Sequence, residues 1–209
     1  MILNDIAIFD YGAGNLYSLK CSLERNGATK VSVIKSLKSI HKKHDGLILP
    51  GVGNFDPAIR SIQPYRDDFD NLFEKNFPIL GICLGMEMLF NNSEEGKLEG
   101  LKILSGRVIM LPRKKVKIPH MGWNNLEITE KACKILQGLK DGCWVYFVHS
   151  YRVISRDKKV IVANSRYGGN IPVVVEKNNL FGTQFHPEKS GINGAKIIKN
   201  FLAICGGKY

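Results

Sequence analysis

The sequence predicts an α/β protein, a three-layer sandwich around a mainly parallel central sheet, with antiparallel strands appended in the C-terminal half. Three observations predict it. Up to Phe90, short apolar runs alternate with segments whose apolar residues recur at helical spacing, which is the signature of parallel strands joined by helices. Glycine-rich loops follow the apolar runs, at Gly12, at Gly51 to Gly53 and at Gly81 to Gly85, and in such sheets the chemistry gathers at the carboxyl ends of strands. Past Gly96 the texture changes: apolar runs crowd together and helical patterns become rare.

Taken in order, residues 5–9 form a strand, and the apolar start of the chain from Met1 reads as part of it. Asp10-Tyr11-Gly12-Ala13-Gly14-Asn15 is a loop, and Leu16, Leu19 and Leu23 begin a helix that Gly27 closes. A dinucleotide fingerprint would need a third glycine near Leu16 or Tyr17, and there is none. Residues 31–34 form a second strand, 36–42 a short helix and 46–49 a third strand, ending in Pro50-Gly51-Val52-Gly53-Asn54. Helices over 56–62 and 66–75 lead to a fourth strand at 78–82, which runs into a helix over 84–90. Further strands are expected at 101–111, 125–128, 144–148, 160–164, 173–176 and 180–184, with turns at the glycine pairs and at Asn178-Asn179. A last helix over 195–204 carries Ile197, Ile198, Phe201 and Leu202 on one face and stops at Gly206-Gly207.

Composition narrows the function classes. A chain of 209 residues fits one domain, residues 1–209, and 44% hydrophobic with 23% charged residues is ordinary for a soluble globular protein. The five cysteines are odd in number, scattered and never spaced as C-x-x-C, so neither a disulfide framework nor a metal site is expected and a reducing cytoplasm fits. The N-terminus lacks the basic start of a signal peptide, and no apolar run approaches the roughly 20 residues of a membrane span. The net charge is +11, but the densest basic run, Arg113-Lys114-Lys115-Val116-Lys117, is not interleaved with stacking aromatics. It fits a solvated face or an acidic protein partner, not nucleic acid.

Three stretches carry chemistry. Gly81-Ile82-Cys83-Leu84-Gly85 sets a cysteine at a strand-to-helix joint, the plan of a nucleophile elbow, where a helix N-terminus favours the thiolate. A buried cysteine between apolar segments is also ordinary core. Gln184-Phe185-His186-Pro187-Glu188 ends a strand on an imidazole with a carboxylate two residues on, and Cys83, His186 and Glu188 could supply nucleophile, base and orienting acid. Pro50-Gly51-Val52-Gly53 could turn a backbone N–H toward a bound carbonyl, or be a plain turn.

Together the elbow and the His-Pro-Glu stretch resemble the class I (triad) glutamine amidotransferases, whose fold is flavodoxin-like. Pro50-Gly51-Val52-Gly53-Asn54-Phe55, Pro119-His120-Met121-Gly122-Trp123-Asn124, Tyr146-Phe147-Val148-His149-Ser150-Tyr151, Tyr11-Gly12-Ala13-Gly14-Asn15 and His186-Pro187-Glu188-Lys189-Ser190 are similar to the glutaminase subunits of imidazole glycerol phosphate synthase. The resemblance spans the chain.

The resemblance implies L-glutamine as substrate, no cofactor, attack by Cys83, proton transfer by His186 and orientation by Glu188. It implies an oxyanion site at Leu84 and the Gly51, Val52, Gly53 loop, and substrate contacts from Glu87, Glu95, His149, Ser150 and Tyr151. It also implies a heterodimer with a (β/α)8-barrel cyclase that receives ammonia, facing Asn15, Trp123, Tyr146 and Lys189. Most of the family has glutamine where this chain has Glu87; an ionised carboxylate cannot donate a hydrogen bond and adds charge beside the substrate's own, so Glu87→Gln is expected to lower the Michaelis constant. Alternatives within the same chemistry and outside it are a synthase that aminates a sugar for surface glycans, a stand-alone γ-glutamyl hydrolase, and a non-catalytic regulatory partner.

Overall fold

A computed structural model describes residues 4–12, 15–38, 40–130 and 132–207. The expectations placed on Met1 to Leu3 and on Ala13-Gly14 lie outside the described residues. The first half of the chain runs β1 (Asp5–Phe9), α1 (Leu16–Arg25), β2 (Lys30–Ile34), β3 (Gly46–Leu49), α2 (Phe55–Ile62), α3 (Arg66–Glu74), β4 (Ile79–Ile82) and α4 (Leu84–Glu87). The second half runs β5 (Gly106–Met110), β6 (His120–Asn125), β7 (Glu127–Ile128), β8 (Trp144–His149), β9 (Tyr151–Ser155), β10 (Ile161–Arg166), β11 (Asn170–Lys177), β12 (Leu180–Thr183) and α5 (Gly191–Cys205).

Eight strands form one sheet in the order β2-β1-β3-β4-β12-β11-β10-β7, and β5-β9 and β6-β8 form separate two-stranded antiparallel ribbons. The pairs from β2 through β12 are parallel, and those from β12 through β7 antiparallel. The strand at 180–184, grouped by sequence with the antiparallel ribbons, therefore extends the parallel half. Its register against β4 pairs Thr183 with Ile82.

The uniformly apolar strands follow from burial on both faces. In β1, Ile6 and Ile8 pack into the layer of α1 and α5, while Ala7 and Phe9 pack with α2 and α3. The same alternation sends Ile48, Leu80 and Ile82 one way and Leu47, Leu49 and Ile79 the other. At about 25 cal/mol per Å² of apolar surface, these two layers dominate the stabilisation. Asn4 ties the start of the sheet to the last helix, its amide donating to the Leu202 carbonyl at 2.7 Å.

Local differences from the sequence have local causes. The helix expected over 84–90 stops at Glu87, because the carbonyls of Met88, Leu89 and Phe90 accept from Leu101, Leu104 and Lys102 instead of continuing a helix. Those bonds also take residues 101–105 out of the expected strand, which begins at Gly106. The helix expected over 36–42 is reduced to a 3-10 turn, Ile40–Lys42. Strands β6 and β9 are not visible in the apolar pattern: they carry Trp123, Asn124, Asn125, Tyr151 and Arg152, and they owe their pairing to β8 and β5. Helix α5 starts at Gly191, four residues early, where the chain leaves the turn Pro187–Lys189.

Candidate active site

Three adjacent parallel strands in the middle of the sheet, β3, β4 and β12, deliver the loop Gly51 to Gly53, Cys83, and the segment Gln184 to Glu188 to their carboxyl ends. At the elbow the chain must reverse within one residue. Cys83 takes φ 49° and ψ −106°, a conformation costing about 1–3 kcal/mol outside glycine. Its N–H donates to the Thr183 carbonyl at 2.6 Å, and its own carbonyl accepts from Met86 and Glu87 at 3.0 Å each, which holds the strain in place.

Both flanking glycines are required by close approach. A Cβ on Gly81 would lie 2.6 Å from the Gly85 carbonyl oxygen, and one on Gly85 would run into the Leu49 carbonyl of β3. Gly51 is likewise pressed on the elbow, 2.5 Å from the Ile82 oxygen by the same construction.

His186 is 1% exposed and its backbone N–H donates to the Tyr146 carbonyl at 3.0 Å. Nδ1 lies 2.8 Å from Glu188 Oε1. A carboxylate only accepts, so Nδ1 carries the proton and Nε2 is left as the basic nitrogen, buried and without a partner among the described residues. The Cys83 thiol donates to the Val148 carbonyl at 3.8 Å and accepts from Gln184 Nε2 at 3.7 Å.

The sequence expects a thiolate at Cys83, and the structure corrects this. Burial pushes the thiol well above its ordinary pKa and the Glu87 carboxyl adds to the shift, against smaller pulls from the Gln184 amide and the Leu84 N–H. A helix of only four residues has little dipole to offset that. Cys83 is a neutral thiol at rest.

Cys83 opens on a cleft of about 270 Å³ lined by Gly51, Val52, Gly53, Leu84, Glu87, Glu95, Val148, Ser150 and Tyr151. Glu95 is aimed there by the Phe55 N–H, which donates to its carboxylate at 3.2 Å, and its loop is pinned where Lys97 and Leu98 donate to Asp56 at 2.9 and 3.0 Å. Burial raises the Glu95 carboxyl. Glu87 is 4% exposed, accepts from Gln184 Nε2 at 2.9 Å, and is pushed up to about 8 by burial, with Glu95 adding to the shift and the Gln184 bond opposing it. The negative charge that the sequence assigns to Glu87 is therefore mostly absent at neutral pH.

His149 does not line the cleft. Side chains alternate along β8, so Val148 faces the cleft and His149 points into the core. Its Nδ1 donates to the Tyr151 carbonyl at 2.6 Å, its Nε2 meets His120 Nδ1 at 2.9 Å, and His120 Nε2 faces the Asn124 amide at 3.4 Å. This chain of donors fixes both tautomers and anchors the strand end that presents Ser150 and Tyr151. Sequence reasoning missed Val148 and Gln184 as neighbours of the thiol; it allows His120 and His149 to be hydrogen-bonded structural residues, as they are, but no spacing rule pairs the two.

The four residues expected at a partner surface lie on neighbouring elements. Asn15 caps α1 by accepting from the Ser18 N–H at 3.0 Å. Lys189 is exposed and shares a groove with Ser18 and Glu188. Trp123 is 52% exposed and meets Tyr146 edge-on at 5.9 Å. Among the described residues no helix is long and apolar enough to cross a membrane, and no group of His, Cys, Asp and Glu is arranged to hold a metal.

The sequence pattern of the family described as "Glutamine amidotransferase class-I" matches residues 7–205. The "Imidazole glycerol phosphate synthase subunit HisH" of Methanosarcina acetivorans is 44% identical over 203 residues, 96% of this chain and 98% of that one. The protein of the same name from Caldanaerobacter subterraneus subsp. tengcongensis is 48% identical over 199 residues, 94% and 96% of the two chains. Among solved structures, a putative GMP synthase protein from Thermoplasma acidophilum superposes with a TM-score of 0.74 at 22% identity, covering 99% of this chain and 96% of that one. The glutaminase domain of Trypanosoma brucei CTPS with bound acivicin gives 0.71 at 19% identity, covering 98% and 94%. At such identities the two structures speak for the fold.

Proposed function

The chain belongs to the class I glutamine amidotransferases and, within them, to the HisH type, and from that premise we propose how its residues release ammonia from glutamine. It is the glutaminase subunit of an imidazole glycerol phosphate synthase, in histidine biosynthesis, working with a cyclase subunit. The observation that supports the mechanism is that the ends of three adjacent parallel strands lead into the Gly51 to Gly53 loop, Cys83 and the segment carrying His186, with the loop and Cys83 lining one cleft.

In this reading L-glutamine enters the cleft with its side-chain amide carbon against Sγ. The thiol proton moves to His186 Nε2 as the S–C bond forms, so the charge is created only with substrate in place. The resulting oxyanion is held by the Leu84 N–H and by N–H groups of the Val52 loop, where a single such donor is worth about 10²–10³ in rate. His186 then gives the proton to the departing nitrogen, the C–N bond breaks, and ammonia leaves. Water attacks the γ-glutamyl thioester, His186 takes its proton, and collapse with return of that proton to sulfur frees glutamate. Glu188 holds the Nδ1–H throughout, keeping Nε2 basic. Gly51, Val52, Gly53, Glu87, Glu95, Ser150 and Tyr151 bind the substrate, and His149 acts behind Tyr151.

The whole chain works as a single amidotransferase domain in the cytoplasm. The cyclase is a (β/α)8 barrel seated on Asn15, Trp123, Tyr146 and Lys189, and the +11 charge suits an acidic face on it. The test is ammonia release from glutamine by the chain alone and with the cyclase of the same organism loaded with its nucleotide substrate, with Cys83→Ala as the blank. Low release alone and a large rise in the loaded complex are expected. Release that never exceeds the Cys83→Ala blank would overturn the mechanism, and release without a rise would overturn the pairing.

A further inference from the structure

Resting on the glutaminase reading of the cleft, we propose that Glu87 binds glutamine as a neutral carboxylic acid, its O–H donating to the substrate as an amide N–H would. The geometry sets this up. Glu87 lines the cleft beside Cys83 and is almost wholly buried, so an ionised carboxylate there would have to be paired.

Among the described residues no lysine or arginine pairs with it. What faces it is anionic or neutral from every side: the Cys83 thiol at the head of its own helix, the Gln184 amide after β12, Glu95 from the loop after α4, Tyr11 after β1 and Tyr151 on β9. One neutral hydrogen bond, from Gln184 Nε2 to Oε1 at 2.9 Å, is too little to hold a buried charge. That same bond occupies Oε1 as an acceptor, which leaves Oε2 to carry the proton. No hydrogen bond from the described residues engages Oε2, so the O–H is free for a ligand in the cleft.

A protonated glutamate and a glutamine have the same shape and each offers one acceptor oxygen and a donor on the other arm. At neutral pH this chain thus supplies an amide-like donor, although its sequence carries a glutamate. The replacement has a consequence that glutamine would not: above the carboxyl's pKa the donor becomes a second anion beside Glu95, and the substrate's own carboxylate is repelled.

The experiment measures the glutamine dissociation constant by calorimetry from pH 6 to pH 9 in the full chain carrying Cys83→Ala, which prevents turnover, with and without Glu87→Gln. Glutamine's own amino group ionises equally in both, so the ratio of the two constants isolates Glu87. With Glu87 titrating at about 8, the ratio is expected near unity up to pH 7 and about tenfold higher at pH 9, the Glu87 chain binding more weakly. A flat ratio overturns the proposal alone, while no glutamine binding at any pH overturns the cleft reading and the proposal with it. Infrared difference spectra give a readout that does not depend on binding: a protonated-carboxyl band at pH 7 that Glu87→Gln removes supports the proposal, and its absence overturns it.

Discussion

Acidification should expose the buried histidine pair. His120 and His149 are 3% and 5% exposed, and burial lowers them to about 4 and about 3. In the unfolded chain each titrates near 6.5. Between that value and the folded ones the unfolded chain binds more protons, so the pair's contribution is fully present above about pH 6.5 and is lost as the pH falls. Protonating His149 would set an N–H against an N–H across the 2.9 Å contact, and protonating His120 would turn its Nε2–H against the Asn124 amide at 3.4 Å. At about 1.36 kcal/mol per pKa unit, going from pH 7 to pH 5 costs about 2 kcal/mol for each histidine and about 4 for the two.

Glu87 works in the opposite direction. Raised to about 8 in the fold and near 4.3 unfolded, it holds a proton that the unfolded chain releases, so the same acidification stabilises by about 2.5 kcal/mol. The wild type should therefore lose only about 1.5 kcal/mol, and Glu87→Gln should lose the full 4 or so, a large share of a typical 5–15 kcal/mol. Urea unfolding followed by circular dichroism at pH 7, 6 and 5 reads both. Adding His120→Gln, whose amide can still donate to His149, should reduce the loss to about 2 kcal/mol. Equal losses in wild type and Glu87→Gln would refute the opposed titrations, and a loss that His120→Gln leaves unchanged would refute the role of the pair.

Other substitutions test the elbow, the triad and the docking face. Gly85→Ala should destabilise by about 1–3 kcal/mol or more, because its Cβ meets the Leu49 backbone, and an unchanged urea midpoint would show that the elbow has room. Glu188→Gln keeps the shape and loses the charge behind His186; turnover in the complex should fall about 10²–10⁴-fold with little change in melting temperature, and near-normal turnover would remove Glu188 from the triad. Trp123→Ala should weaken cyclase binding by about 2 kcal/mol, roughly 30-fold in Kd by calorimetry, and an unchanged Kd would take Trp123 out of the interface.

Much of this protein is legible in its sequence, because some residue patterns admit few structures. Four short apolar strands separated by helical spacing require a sheet covered on both faces, and β1, β3 and β4 alternate between the two core layers as that demands. Glycines two residues either side of Cys83 mark a turn where backbone meets backbone, and the structure finds the carbonyls of Gly85 and Leu49 in the way of any Cβ. His186 followed two residues later by Glu188 delivers the 2.8 Å contact within one turn.

What the sequence left open depends on contacts between residues far apart in the chain. The truncation of α4 comes from bonds to Leu101, Lys102 and Leu104, and the strands β6 and β9 exist because β8 and β5 pair with them. His149 is held in the core by a hydrogen bond with His120, which comes from another strand. Above all, the protonation states were decided by burial: Cys83 and Glu87 lie in the same short segment, yet whether either is charged depends on Gln184, Glu95 and the exclusion of water around them. Local pattern fixes where a side chain stands on its element, but a pKa and a contact across the sheet are properties of the surroundings, which only the folded chain assembles.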